Sequence, residues 1–114
     1  MIRGLGLDIV EVARIARALE NPKFATRILT PSERDRPLTP LYVAGRWAAK
    51  EAVAKAIMAA GGPTPSWHEV TILNSDVGAP EVQLSPRLMA LGLKWHVSIS
   101  HERGVAAAVA VGEG

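Results

Sequence analysis

Four side chains in this 114-residue chain have the type and placement to do chemistry: Asp8, Glu51, Lys55 and His101. Glu51 and Lys55 stand four apart in Arg46-Trp47-Ala48-Ala49-Lys50-Glu51-Ala52-Val53-Ala54-Lys55. On a helix turning about 100° per residue they lie roughly 40° apart, on one side. Asp8 closes a run of apolar residues and glycines, and His101 begins the turn-like His101-Glu102-Arg103-Gly104. Two carboxylates, with no cysteine and no histidine cluster, suit a hard divalent cation. Magnesium takes one or two protein carboxylates and fills its octahedron with water and substrate phosphates. A lysine beside them would neutralise charge on a transferring phosphate. Each residue also has a plainer reading. Glu51 and Lys55 form an intrahelical ion pair worth about 0.2–0.5 kcal/mol, Asp8 caps the helix that follows it, and His101 caps backbone groups at a turn. Spacing alone does not bring Asp8 to Glu51.

The elements that must position these residues are readable in outline. Ile2 to Val10 predicts a buried strand whose glycines, Gly4 and Gly6, permit close backbone approach. From Glu11 the apolar period becomes helical, with Val12, Ile15, Ala16 and Leu19 on one face. Asn21-Pro22 ends that helix, and Phe24 to Leu29 predicts a second short one. Thr30-Pro31-Ser32-Glu33 has the form of a helix start with a capping box. Thr39-Pro40 then opens the longest helix, which runs to about Ala60 before Gly61-Gly62-Pro63 stops it. A stripe of small residues along it, Gly45, Ala48, Ala49, Ala52 and Ala56, invites another backbone, while Arg46 and Lys50 fall on the opposite side. Strands are expected at Val70–Leu73 and Glu81–Leu84 around a turn at 75–78, then a short helix from Ser85-Pro86. A final hairpin, Trp95–Ser100 with Val105–Val111, completes the pattern. Helices early and strands late give an α+β fold: a largely antiparallel sheet packed on a long central helix, in a single domain over residues 1–114.

Composition narrows the function classes. No cysteine means no disulfide and no thiolate metal site. His68, His96 and His101 lack zinc-ligand spacing, and no apolar run reaches membrane-spanning length. A soluble cytoplasmic protein is expected. Net charge is only +2, but Arg14, Arg17, Lys23 and Arg27 face a single acid, Glu20, in their stretch. That local basic patch suits an acidic partner.

Several stretches together resemble one family. Gly4-Leu5-Gly6-Leu7-Asp8-Ile9-Val10-Glu11-Val12-Ala13-Arg14-Ile15 looks like the opening motif of the holo-[acyl-carrier-protein] synthases, the short 4'-phosphopantetheinyl transferases. Arg46 to Ala56 resembles their central helix motif, and His96-Val97-Ser98-Ile99-Ser100-His101-Glu102 their third. Ile28-Leu29-Thr30-Pro31-Ser32-Glu33 matches a lesser one. The motifs come in the family's order and cover essentially the whole chain. The resemblance implies a 4'-phosphopantetheinyl transferase-like fold. It also implies transfer of the phosphopantetheine arm of coenzyme A to a serine of apo acyl carrier protein, in fatty acid biosynthesis, leaving adenosine 3',5'-bisphosphate. Asp8 and Glu51 would hold magnesium, Lys55 would contact phosphate or handle protons, and His101 would contact coenzyme A. Arg46, Gly78 and Pro80 become cofactor contacts, although Arg46 and Lys50 read equally well as solvated. Arg14 matches a carrier-protein contact, and Arg17, Lys23 and Arg27 join it as part of the same charged stretch. Family members are commonly homotrimers with active sites at subunit interfaces, for which the small-residue stripe and the alanine-rich last strand are suited. One departure is local: many members carry lysine between the glycine and proline of the late turn, and here it is Ala79.

Two readings from other classes compete. A nucleic-acid-binding module would use the basic helix, but there is no nucleic-acid motif and no aromatic interleaving, and net charge is low. A different magnesium-dependent nucleotide enzyme would keep Asp8 and Glu51 and need no carrier protein.

Overall fold

Glycine at alternate positions leaves one face of a strand without β-carbons, so a helix can lie directly against its backbone. Strand β1, Ile2–Glu11, does this with Gly4 and Gly6. A β-carbon added to Gly6 would collide with the Ala52 carbonyl oxygen, and one on Gly4 with that of Ala56. Both carbonyls belong to the long helix running Pro40–Ala59. The computed structural model describes residues 1–114 and places this contact at the centre of the fold.

The order of elements is β1, α1 (Val12–Ala18), α2 (Lys23–Ile28), α3 (Pro40–Ala59), β2 (Val70–Asn74), β3 (Pro80–Leu84), α4 (Pro86–Met89), β4 (Lys94–Glu102) and β5 (Val105–Glu113). A 3₁₀ turn at Trp67–Glu69 precedes β2. Helix α3 begins as expected: Thr39 accepts from the Tyr42 N–H at 3.2 Å, and Pro40 opens the first turn. β5 lies between β1 and β4, antiparallel to both, while β2 and β3 form a separate antiparallel hairpin. The inward face of the three-stranded sheet is glycine and alanine. Gly6 sits opposite Ala110, Asp8 opposite Ala108 and Val10 opposite Ala106, with α3 across them. The expected small-residue stripe of α3 is thus consumed inside the chain, with Ala48, Ala49, Ala52 and Ala56 fully buried. It offers nothing to a neighbouring molecule. The outer face is different: Ile2, Leu5, Leu7 and Ile9 are 65, 60, 65 and 69 % exposed. No helix is long and apolar enough to cross a membrane.

Three local expectations fail. Thr30-Pro31-Ser32-Glu33 opens no helix; the chain makes one turn and continues irregularly to Pro40. Half the capping box forms, with the Thr30 N–H donating to Glu33 Oε1 at 2.8 Å, but Glu33 then turns inward and is fully buried. Asp8 lies inside β1 rather than at its end, and the N-cap of α1 is Glu11, whose side chain makes no capping bond. The last turn is shorter than expected. His101 and Glu102 belong to β4, and only Arg103 and Gly104 turn, at φ of 50° and 78°. Two successive positive φ values match the right-handed twist of the flanking strands.

Gly6→Ala should destabilise the fold by at least about 1–3 kcal/mol, because a rigid carbonyl, not a flexible side chain, meets the new methyl. Urea unfolding reads this directly; an unchanged midpoint would mean that β1 can ride off α3 at no cost.

Candidate active site

The backbone contact between β1 and α3 brings the first group of expected residues together. Lys55, on the sixteenth residue of α3, reaches across to the strand, not along its own helix. Its Nζ donates to the Leu7 carbonyl at 2.9 Å and to Asp8 Oδ1 at 3.1 Å. The intrahelical Glu51–Lys55 pair is therefore not made; the strand is close enough to win the ammonium. A lysine has three donors, so one remains for a ligand. The other Asp8 oxygen, Oδ2, is buried without a hydrogen-bond partner. Burial pushes the Glu51 carboxyl above the usual carboxylate range and the negative charge of Asp8 pushes it further, while Lys55 and Arg14 pull it back. The two carboxylates stand together, with one Asp8 oxygen left without a donor although Lys55 and Arg14 are near. No three His, Asp or Glu side chains stand close enough together to hold a metal ion by themselves. That donor set fits a hard divalent cation which keeps most of its shell for water and phosphate. Asp8 and Glu51 are the residues that could hold it.

Glu51 and Lys55 line a pocket with Lys50, Ala54 and Met58 on the helix side and Thr64 to Trp67 opposite. Trp67 leans on Trp47 with ring centroids 4.7 Å apart, and Phe24 of α2 stacks on Trp47 at 5.9 Å. The Arg14 guanidinium lies 5.8 Å over the Trp47 ring. This aromatic stack joins the pocket to the basic stretch, where Arg14, Arg17, Lys23 and Arg27 are all exposed.

The second group lies elsewhere. Arg46, Gly78, Pro80 and His101 line a different pocket, with Arg36, Tyr42, Asn74 and Ile99. Arg46 and Lys55 are nine residues apart on α3, so they project about 180° apart and about 13 Å along its axis. Arg46 is buried, contrary to a solvated reading. Its Nη2 donates to Asn74 Oδ1 at 2.8 Å, its Nε has no partner, and its guanidinium lies 4.7 Å from the Tyr42 ring centroid. Arg36 covers the same ring at 3.9 Å. No acidic side chain lines this pocket. One chain therefore carries two groups of expected site residues that do not meet within it.

Lys50 is likewise buried, and its ammonium is paired with Glu33 at 2.6 Å. Burial pulls Lys50 below the ordinary lysine range against the opposing pull of that carboxylate. Glu33 Oε2 also accepts from the Ile72 N–H at 2.8 Å, which ties the 30–33 turn and β2 to α3. Sequence reasoning missed this anchor. Its only trace was a lysine one turn beyond Arg46 on the side of the helix away from the small-residue stripe.

Comparison with known proteins gives the family. Residues 4–110 match the family model described as the 4'-phosphopantetheinyl transferase superfamily. The chain is 45 % identical to a holo-[acyl-carrier-protein] synthase of Beutenbergia cavernae across 99 % of both chains. It is 46 % identical to one of Solidesulfovibrio magneticus across the full length of both. Among solved structures, the holo-[acyl-carrier-protein] synthase of Neisseria meningitidis superposes with a TM-score of 0.86 at 34 % identity, covering all of each chain. That of Bacillus anthracis, in complex with coenzyme A (3',5'-ADP), gives a TM-score of 0.84 at 37 % identity, covering 99 % of this chain and 97 % of that one.

A raised Glu51 pKa has a signed consequence. The stability linked to its protonated form is fully present below the free glutamate value of about 4.3 and is lost as pH rises through the folded value. In chelator, Glu51→Gln should therefore raise the melting temperature at pH 7, with the gain shrinking as pH falls towards 4. A gain independent of pH would show that Glu51 carries no uncompensated charge.

Proposed function

The chain belongs to the 4'-phosphopantetheinyl transferase superfamily, and on that premise we propose that it acts as a holo-[acyl-carrier-protein] synthase. The observation that carries this reading is the trio on the β1–α3 contact, Asp8 with an orphaned oxygen, Glu51 with a raised pKa and Lys55 with a donor to spare. The reaction is attack by the serine hydroxyl oxygen of an apo acyl carrier protein on the phosphorus that bears the pantetheine arm of coenzyme A. A new phosphorus–oxygen bond forms to serine, the bond to the bridging oxygen breaks, and adenosine 3',5'-bisphosphate leaves with that oxygen. The serine proton is released.

Asp8 and Glu51 would hold magnesium, which when bound polarises the attacked phosphorus and offsets charge on the leaving phosphate. The chain's own groups do the positioning. Lys55 is fixed by two bonds to β1 and directs its third donor to a phosphate oxygen. The Thr64–Trp67 wall and Met58 enclose the arm. Arg14 sits over Trp47 at the mouth of the basic stretch and receives an acidic face of the carrier protein, helped by Arg17, Lys23 and Arg27. We place this activity in the cytoplasm, in fatty acid biosynthesis, with residues 1–114 acting as one domain.

The second group, Arg46, Gly78, Pro80 and His101, belongs to the nucleotide end of coenzyme A in this reading. It is completed by another subunit: in a homotrimer, one chain supplies Asp8, Glu51 and Lys55 and its neighbour the Arg46 pocket. Two observations support this. The two pockets of a single chain lie on opposite sides of α3, and the outer face of β1 leaves Ile2, Leu5, Leu7 and Ile9 uncovered.

Incubation with coenzyme A, magnesium and apo acyl carrier protein should add the mass of one phosphopantetheine to the carrier, read by intact mass spectrometry. Chelator, Asp8→Ala and Glu51→Ala should each abolish the gain. Transfer that persists in both variants would remove Asp8 and Glu51 from the site. Arg14→Ala should chiefly raise KM for the carrier, by about tenfold for a lost charged contact; a fall in kcat alone would argue against docking.

A further inference from the structure

The wall of the Glu51/Lys55 pocket that faces α3 is irregular chain, Thr64, Pro65 and Ser66, leading into Trp67. Backbone without a ladder or helix of its own holds a shape only when other groups satisfy it. Here one carboxylate and one guanidinium do so. Glu69 Oε1 accepts from the Ser66 N–H at 3.0 Å and from Arg87 Nη2 at 2.8 Å. Glu69 Oε2 accepts from Arg87 Nε at 2.7 Å and from the Ser85 hydroxyl at 2.8 Å. Arg87 Nη2 also donates to the Thr64 carbonyl at 3.1 Å. The two side chains thus grip both ends of the wall and fasten it to the start of α4. Four bonds to one carboxylate hold Glu69 well below the usual carboxylate range, so it stays ionised wherever the protein would work. Neither Glu69 nor Arg87 lines the pocket itself.

We propose that Glu69 and Arg87 are positioning residues for coenzyme A, whose forked ion pair sets the Thr64–Trp67 wall at the width of the pantetheine arm. The proposal rests on the transferase reading of this pocket. Its physical content lies in the geometry of the fork. A guanidinium can bind both carboxylate oxygens and still spare a donor for the Thr64 carbonyl, whereas an ammonium is a point donor without a planar fork. The pair is half-exposed on the arginine side, where ion pairs add little to global stability. Loss of Arg87 should therefore be felt in ligand binding more than in folding.

The test uses the full chain with Arg87→Ala, Arg87→Lys and Glu69→Gln. Steady-state kinetics with coenzyme A varied at saturating carrier protein are read beside coenzyme A titration calorimetry and the melting temperature. Arg87→Ala and Glu69→Gln should raise KM and Kd for coenzyme A by about fivefold to twentyfold with kcat within about twofold, and Arg87→Lys should recover only part of the loss. Backbone hydrogen exchange at residues 64–67 should quicken in the same variants. An unchanged Kd, a fall in kcat at unchanged KM, or full recovery by lysine would overturn the proposal. If the wild-type protein binds coenzyme A but transfers nothing, the transferase reading fails, and the Kd series still decides the clamp. If it binds no coenzyme A, both fall.

Discussion

Everything at the reacting end depends on how close β1 lies to α3. Gly4 and Gly6 remove the β-carbons that would hold the strand away, and the Ala52 and Ala56 carbonyls occupy that space. Glycine in a strand forfeits about 0.5–1 kcal/mol relative to alanine. Here the cost is offset by dense contact along the seam and by the polar result: Lys55 of the helix bonds the Leu7 carbonyl and Asp8 of the strand. The close approach is what brings the Leu7 carbonyl and Asp8 within 2.9 and 3.1 Å of the Lys55 ammonium. The packing and the charge arrangement are one fact seen at two scales.

The helix is pinned on its other side by Glu33 and Lys50. A buried ion pair gives little net stability over well-packed apolar residues, yet losing one partner typically costs about 3–5 kcal/mol. Glu33 is bonded to the Thr30 N–H, Lys50 and the Ile72 N–H, so neither carboxylate oxygen is left without a donor. Its position fixes the rotation of α3 just before Glu51. Lys50 holds one face of the helix to β2 and Lys55 holds another to β1, so Glu51 between them has little freedom to drift.

What the sequence revealed follows from what is local in it. The long helix, its Thr39-Pro40 start and its glycine stop were legible because caps and terminators act within a turn. The strands showed as short apolar runs bounded by turn residues. The glycines of β1 announced close approach but not its partner, which is a long-range matter. Thr30 to Glu33 looked like a capping box because half of it is one; Lys50, seventeen residues away, redirected the glutamate. Asp8 looked like a cap because the length of a strand is set by its neighbour, and β5 carries the pairing on to Glu11. The assignment of Asp8, Glu51, Lys55 and His101 came from resemblance, since no spacing rule joins residues on separate elements. The Glu69–Arg87 fork had only the Ser66-x-x-Glu69 pattern to signal it.

Under the proposed function, each chain carries two halves of a site that a second copy completes. Complementation between two inactive variants tests this most directly. Glu51→Ala removes one half and His101→Ala the other, and the two proteins are mixed, unfolded and refolded together. If the halves come from neighbouring subunits, random mixing in a ring restores about a quarter of the intact sites, and transfer activity returns although neither variant alone has it. Mixed oligomers that form, as seen by native mass spectrometry, yet stay inactive would contradict the claim and place the whole site within a single chain.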